Sequence, residues 1–484
     1  MSISGSMSSA LSGLTAAARS AELISSNIAN ALTEGYGRRE LEVTARRLGN
    51  TGQGVKIVGV SREINQALVA DRRIADANAA STAQQSNFFT RLETVLGSPT
   101  ESSSLSGKFA NFDSALIAAS AEPESSVRQS NVVEAARGLA SHFRTASKEV
   151  QTMREEADKR IATQVSVVNR ALAAIADLNQ NISSSAGAGR DPSALLDQRQ
   201  QLIDQISSII PIREIPRENG RIALYSAGGA SLLEGKPAIL GFSAVGVIAP
   251  DMTLGSGALS GLTLNGHPVS TGATGPLAGG ALIADFTIRD QLAPRAQSEL
   301  DSLARDLIFR FQDPALDPTL TAADAGLFTD SSSAFLTANE DGIAIRIGLN
   351  TAVDPSAAGQ LWRIRDGLGA VTAGPAGQSA LFSAMQSALN DPRPIASGQF
   401  AGDDRDVLSL SSNLVSVVTN NRVQLEVEAG FSAARATALQ SLELQGGVDT
   451  DRELQDLLLV EQAYAANAKV IQTADDMLKI LLGM

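Results

Sequence analysis

Both ends of this 484-residue chain carry an apolar stripe at coiled-coil spacing, and that constrains the fold more than any other feature. Near the start, Ser4, Met7, Leu11, Leu14, Ala18, Ala21, Ser25, Ile28 and Leu32 fall on alternating steps of three and four. Near the finish, Leu457, Val460, Tyr464, Asn467, Ile471, Ala474, Leu478 and Leu481 do the same. Such spacing predicts a helix that buries one seam. Gly5 and Gly13 weaken the first helix by up to ~1 kcal/mol each relative to Ala. Asn467 is a polar residue in mid-seam, where a buried amide fixes register or strand number. Asp449 or Thr450 is placed to cap the second helix, with Asp451 and Glu453 near the positive end of its dipole. A lone helix of this kind is marginal in water, so most of its stability must come from covering the stripe.

Two matched stripes in one chain can pair with each other and leave surface for neighbours. The charges favour pairing weakly. Residues 1–75 hold nine cations and six anions, net +3, and residues 401–484 hold six and thirteen, net −7. Each exposed charge pair contributes only ~0–1 kcal/mol. An ordinary intramolecular helical hairpin with no partner fits the same pattern, and the pattern alone does not choose between them.

Composition removes other classes. A net charge of −13 gives no electrostatic support for a sequence-independent grip on nucleic acid or an anionic membrane. With no Cys there is no disulfide framework, thiolate nucleophile or Cys-based metal site. No charged n-region and apolar h-region open the chain, so no cleavable secretory signal is expected. No run of about 18 apolar residues is present, and no membrane insertion is expected.

Between the ends the pattern alternates helix with short strands. An N-terminal unit of residues 1–62 contains the first helix, a turn at Glu34-Gly35-Tyr36-Gly37 with two glycines able to take φ > 0, and a short hairpin. The hairpin alternates Leu41, Val43 and Ala45 with Val55, Ile57 and Gly59, around Gly49 and Asn50. Residues 63–211 read as a helical layer: a helix from Glu63 to Leu96 broken at Gly97-Ser98-Pro99, then helices over 107–121 and 126–186, and another that Asp191-Pro192 starts as N-cap and N1. Residues 212–285 are glycine-rich with short alternating runs and predict a small β module. Residues 286–325 are the helical return, whose helix is expected from about Leu282 to Phe311, before Asp313-Pro314 and Asp317-Pro318 break it. Residues 326–400 form a mixed outer module in which Ile343, Ile345 and Ile347 predict a strand. Residues 401–484 are helical, split at Gly446-Gly447. The expected fold class is α+β: a mainly helical rod-like layer built on paired terminal helices, with β-rich insertions in the middle.

No catalytic constellation emerges. The two histidines, His142 and His267, have no local carboxylate pattern. Around Lys108, Ser102 stands where a phosphate loop needs its first glycine. Asp449-x-Asp451 lacks the Gly and bidentate Glu of a calcium loop. Trp362 reads as a core residue of the outer module, and Asp403-Asp404-Arg405-Asp406 as a solvated helix start.

Specific residues then carry a resemblance. Leu11-Ser-Gly-Leu-Thr-Ala-Ala-Ala, followed by Ile24-Ser-Ser-Asn-Ile-Ala-Asn-Ala-Leu-Thr-Glu-Gly-Tyr-Gly-Arg, resembles the N-terminal signature of the flagellar rod, hook and hook-associated axial proteins, with Ser26 and Leu32 where Asn is usual. Leu458-Leu-Val-Glu-Gln-Ala-Tyr-Ala-Ala-Asn-Ala-Lys-Val resembles their closing helix, with Glu461 and Lys469 in place of Gln and Arg. Internal stretches at Gly52–Arg62, Leu195–Asp204 and Gly275–Leu292 resemble the hook-associated branch; residues 326–400 carry little likeness.

The resemblance implies a structural subunit at the hook–filament junction, exported through the flagellar type III channel and extracellular. Its implied partners are its own copies in a ring or helical layer, the hook protein, the second junction protein and an export chaperone near the C-terminal helix. It implies no enzyme activity and no cofactor. It implies too that the termini fold on incorporation. Together with the seams it assigns the assembly interface to Leu11, Leu14, Asn27, Ile28, Asn30, Gly35, Tyr36, Leu457, Val460, Gln462, Tyr464, Asn467, Ile471, Leu478 and Leu481. Asn30 and Gly35 suit a helix end and turn; Asn27 has no spacing argument of its own. A hook or rod subunit is the alternative within the class. A secreted adhesin binding through its β insertions is the alternative outside it.

Overall fold

The computed structural model describes residues 3–48, 51–98 and 100–483. Gly49 and Asn50, around which the hairpin was expected, and Pro99 of the expected helix break lie outside that set.

Helix α1 (Ile3–Ala29) leads into an antiparallel hairpin, β1 (Arg38–Leu48) and β2 (Thr51–Glu63), longer than the alternation alone suggested. Helix α2 (Gln66–Leu96) starts where the Asn65 side chain accepts from the Leu68 amide, and Gly97 at φ +77° ends it. Then come α3 (Leu105–Ala121), capped by Ser104, and α4 (Ser126–Gly187). At 62 residues α4 is about 90 Å long. It is long and apolar enough by composition to cross a membrane, but its apolar side chains fill two protein cores. Helix α5 (Ser193–Ser207) begins one residue later than Asp191-Pro192 predicted: Pro192 is the cap, and Asp191 accepts from the Ser193 amide and hydroxyl.

A four-stranded sheet follows in the order β3 (Ile212–Pro216), β4 (Ile222–Ser226), β5 (Ser231–Glu234), β6 (Lys236–Pro237). A three-stranded one is built from β7 (Leu240–Gly241), β8 (Thr263–Leu264) and β9 (His267–Pro268). Helix α6 (Gly280–Thr287) starts inside the span expected to be β. A π turn at Ile288–Leu292 joins it to α7 (Ala293–Gln312). Pro294 accounts for that turn, since it has no N–H to continue the α pattern.

The outer module holds β10 (Phe328–Asp330), α8 (Ile343–Arg346), β11 (Ile347–Leu349), α9 (Arg363–Asp366), α10 (Ala380–Asn390), β12 (Arg393–Pro394) and β13 (Asp404–Arg405). The strand predicted across Ile343, Ile345 and Ile347 is instead one helical turn followed by a strand. The buried Asp301 carboxylate accepts from the amides of Gly342 and Ala344 (2.8 Å each) and holds the turn. Asp406, inside the charge run, caps α11 (Val407–Gln445), while Asp404 and Arg405 form β13 rather than helix. Asp449 caps α12 (Thr450–Leu482).

Two cores lie along α4. Its first half packs with α2, α3, α7, α10 and the start of α11. Its second half packs with α5, α6 and the four-stranded sheet. Beyond these cores α2 pairs antiparallel with α11: Glu93 meets Thr419 and Arg422 at one end, and Arg72 meets Glu443 at the other. Helices α1 and α12 form a second antiparallel pair, with the β1–β2 hairpin packed against α1.

Candidate functional site

The α1–α12 pair is where the sequence placed the interface, but on α1 the seam is turned. The stripe facing α12 runs Ile3, Ser6, Ala10, Gly13, Ala17 and Ile24, of which Ala10, Ala17 and Ile24 are buried and the others half-buried, one residue out of phase with the expected one. One residue is about 100° of rotation. The cause is side-chain size. A Cβ on Gly13 would lie 2.8 Å from both terminal atoms of the Asn467 amide, so α12 approaches closest where α1 is smallest. The hairpin takes a third face: the Val55 amide donates to Ser12 Oγ (3.1 Å), and Gly54 lies against Ser9 and Ser12. Leu11 is left 58% exposed, with Leu14 and Ile28 half-buried.

On α12 the expected seam faces α1. Leu457, Val460, Asn467, Ile471 and Leu478 are half-buried and Ala474 is buried. Tyr464 and Leu481 are exposed despite their seam positions, and Gln462 is exposed outside it. A second heptad stripe, Leu459, Ala463, Ala466, Val470, Thr473, Met477 and Ile480, is exposed throughout. The ends were expected to order only on incorporation; here both are helical and paired within one chain, with these apolar side chains uncovered.

Asn27 closes the base of the pair. Its side chain is wholly buried and fully satisfied. Nδ2 donates to the Arg39 carbonyl (2.9 Å) and to Glu453 Oε2 (3.0 Å). Oδ1 accepts from the Arg39 amide (3.0 Å) and the Tyr36 hydroxyl (2.9 Å). One amide thus ties α1 to the hairpin, the turn and α12, which is the physical role its spacing did not disclose. Arg38 Nε donates to Glu453 Oε1 at 2.6 Å, and the Glu453 carboxylate is 1% exposed. Burial alone would lower the Arg38 pKa; the Glu453 carboxylate reverses this and holds it above the usual arginine value. Asn30 Nδ2 donates to the Ser26 carbonyl at the end of α1 (2.9 Å).

The turn docks on α5. Gly35 sits at φ +77°, and a Cβ there would meet Gln201 Cγ at 2.9 Å. Gly37 is needed for a different reason than expected: its φ is not positive, but a Cβ would fall 2.5 Å from Arg62 Nε. Asp197 of α5 accepts from the Gly37 amide (3.1 Å), Arg39 Nη2 (2.7 Å) and Arg62 Nε (2.7 Å). Asp204 takes Arg72 (2.9 Å) and Arg73 (2.6 Å), and Arg72 also pairs with Glu443 at the end of α11. Burial tends to lower the Arg72 pKa, but these carboxylates leave it raised. Glu453 aside, which sequence placed only near a helix dipole, none of these ionic residues was singled out. The Leu195–Asp204 stretch was the available signal, because it contains Asp197, Gln200, Gln201 and Asp204 together.

No catalytic geometry accompanies this joint. Among the described residues no group of three or more His, Asp or Glu is placed to hold a metal. His142 is half-buried, and burial lowers its pKa; His267 is exposed. Trp362, expected in the core, is half-buried with the Arg363 guanidinium 5.6 Å from its ring.

Three family models match the chain. "Flagella basal body rod protein" covers residues 7–36, "Flagellar hook-associated protein FlgK helical domain" covers 89–313, and "Flagellar basal body rod FlgEFG protein C-terminal" covers 445–484. The two terminal matches contain both halves of the α1–α12 pair, and the central one contains α4. All three matches are to models of flagellar rod and hook-associated proteins, which is what this chain is similar to. Within them it resembles flagellar hook-associated protein 1. It is 24% identical to that protein of Escherichia coli (strain K12) over the whole of both chains. It is 28% identical to that of Salmonella typhimurium over 47% of this chain and 42% of that one. To the Bacillus subtilis protein it is 27% identical over 43% of each. A solved structure, the flagellar hook junction protein FlgK from Burkholderia pseudomallei, aligns over 54% of this chain and 46% of its own, at 19% identity and a TM-score of 0.44.

Proposed function

We propose that this chain is a structural subunit of the bacterial flagellum that joins hook to filament at their junction, by helical self-assembly through its terminal helices. The observation that carries this is the one-sided burial of the α1–α12 pair. Each helix covers one stripe against the other, while Leu458, Leu459, Ile480, Leu481 and Leu482 of α12 and Leu11 of α1 remain exposed. Large apolar side chains left exposed along one helix pair mark an interaction surface. Covering it with neighbouring copies gains ~25 cal/mol per Å² of apolar area. A head-to-tail contact that does not close builds a helical tube.

The partners in this reading are further copies, the hook protein, the second junction protein and, before assembly, an export chaperone near α12. The chain travels unfolded through the type III channel and ends outside the cell. It binds no nucleic acid, inserts in no membrane and uses no cofactor. The match of residues 89–313 to a hook-associated helical domain favours this over a hook or rod subunit. An adhesin would have no need of the terminal pair. The test is a strain lacking the gene. It should build hooks and release flagellin into the medium, and a plasmid copy should restore filaments. Normal filaments in the deletion strain would overturn the assignment.

A further inference from the structure

A cleft of about 190 Å³ opens beside the joint, between the end of β2, α2, α5 and β3. Three arginines line it, Arg62, Arg73 and Arg199, with Glu214 the one acidic residue beside them. The chain as a whole is acidic, so this concentration of positive charge is local. All three arginines are more than nine-tenths buried.

Their counter-charges are shared. Asp197 serves Arg39 as well as Arg62, and Asp204 serves Arg72 as well as Arg73, which also reaches Glu214 at 3.0 Å. Arg199 has none of its own: it donates to the Asn179 amide oxygen (2.9 Å) and the Gly220 carbonyl (2.7 Å), both neutral. Among the described residues no carboxylate lies within ion-pair distance of it. Burial lowers its pKa, Glu214 opposes that only in part, and the Arg62 and Arg73 charges lower it further. A buried charge is stable when it is paired. Of the three arginines at the cleft, Arg199 is the one left without a carboxylate of its own.

We infer that this cleft is a binding site for a small oxyanion of the phosphate or sulfate type. A guanidinium offers a planar fork of donors that matches such oxygens two at a time. At about 30 Å³ per water molecule, the cleft of about 190 Å³ holds about six waters, room for one tetrahedral oxyanion together with hydrating water. Its walls belong to both sides of the joint, Arg62 and Ile64 from the hairpin end and Arg73 and Arg199 from the body. A bound oxyanion stiffens the connection between the terminal pair and the rest of the molecule.

The test is isothermal titration of the full chain with inorganic phosphate, with potassium chloride at matched ionic strength as the control, in three proteins. The wild type should give saturable one-site binding that chloride does not reproduce. Arg199→Gln should weaken it tenfold or more. Glu214→Gln, which removes the one lining carboxylate and leaves the core intact, should tighten it by about threefold or more. Hydrogen exchange at residues 62–64 should slow on adding phosphate. No saturable binding by the wild type overturns the inference, as does equal or weaker affinity in Glu214→Gln. That variant decides the matter even where Arg199→Gln fails to fold.

Discussion

Replacing Asn27 by Ala should uncouple the terminal pair from its base without unfolding the body. The side chain makes four hydrogen bonds from a wholly buried position. At ~1 kcal/mol net for each neutral bond and ~1.5–3 for the one to the Glu453 carboxylate, the loss comes to about 4–6 kcal/mol. Part of it is the cost of leaving Tyr36, the Arg39 peptide groups and Glu453 without a partner. A deficit of 4 kcal/mol is close to a thousandfold in the opening equilibrium of the pair, at tenfold per 1.4 kcal/mol. Amide hydrogen exchange read by mass spectrometry separates the regions. Protection in peptides from α1 and α12 should fall by about that factor, while α3, α4 and α7 keep theirs. Asn27→Asp should be as damaging at neutral pH, because it loses both donors and sets a carboxylate against Glu453. A double-mutant cycle with Glu453→Gln should give a coupling above ~1 kcal/mol. Protection lost by less than tenfold, or lost equally in the body, would refute the reasoning.

Three further outcomes follow from the same geometry. Gly13→Leu should prise α1 from α12, whereas Gly13→Ala combined with Asn467→Ala should raise the helicity and melting temperature of the pair. There the clash is removed and up to ~1 kcal/mol of helix propensity is gained. Gly35→Ala should destabilise the turn by ~1–2 kcal/mol through its left-handed backbone, with the Gln201 contact adding to that, measured by denaturant melts. Burial pushes the Asp301 carboxyl up to about 6, against opposing hydrogen bonds from Ala344, Gly342 and Gln297. The folded state therefore holds its proton more tightly than the unfolded chain, whose Asp titrates near 3.9. Asp301 favours folding most fully below about pH 4, and that contribution fades as pH rises through about 6. The stability of the wild type relative to Asp301→Asn should rise as pH falls from 7 to 5; a flat difference would contradict the buried position.

Much of the layout was legible because periodicity is a local property. The long α4, the hairpin, the Asp449 cap and the Gly446-Gly447 break all rest on spacing or on one capping residue. What failed rests on contacts distant in sequence. The α1 seam was assigned to its largest apolar residues, but Gly13 and Ala17 let α12 approach more closely than Leu11 and Leu14 would. Alternation at Ile343, Ile345 and Ile347 gave way to Asp301, a carboxylate about forty positions earlier that captured two amides. For the joint, a resemblance pointed to Asn27 and to the Leu195–Asp204 stretch. No single-sequence rule shows that Arg38, Arg39 and Arg62 converge on carboxylates from α5 and α12, because an arginine reads as surface until its partner is known.

The account stands or falls on whether the uncovered α12 stripe exists to be covered by other subunits. Polar replacement of Leu459, Ile480 and Leu482, all exposed in the single chain, tests it while leaving the α1–α12 seam in place. Cells carrying that variant should secrete a protein whose helicity matches the wild type, yet release flagellin and bear hooks without filaments. Full-length filaments and normal swimming in that strain would contradict the account.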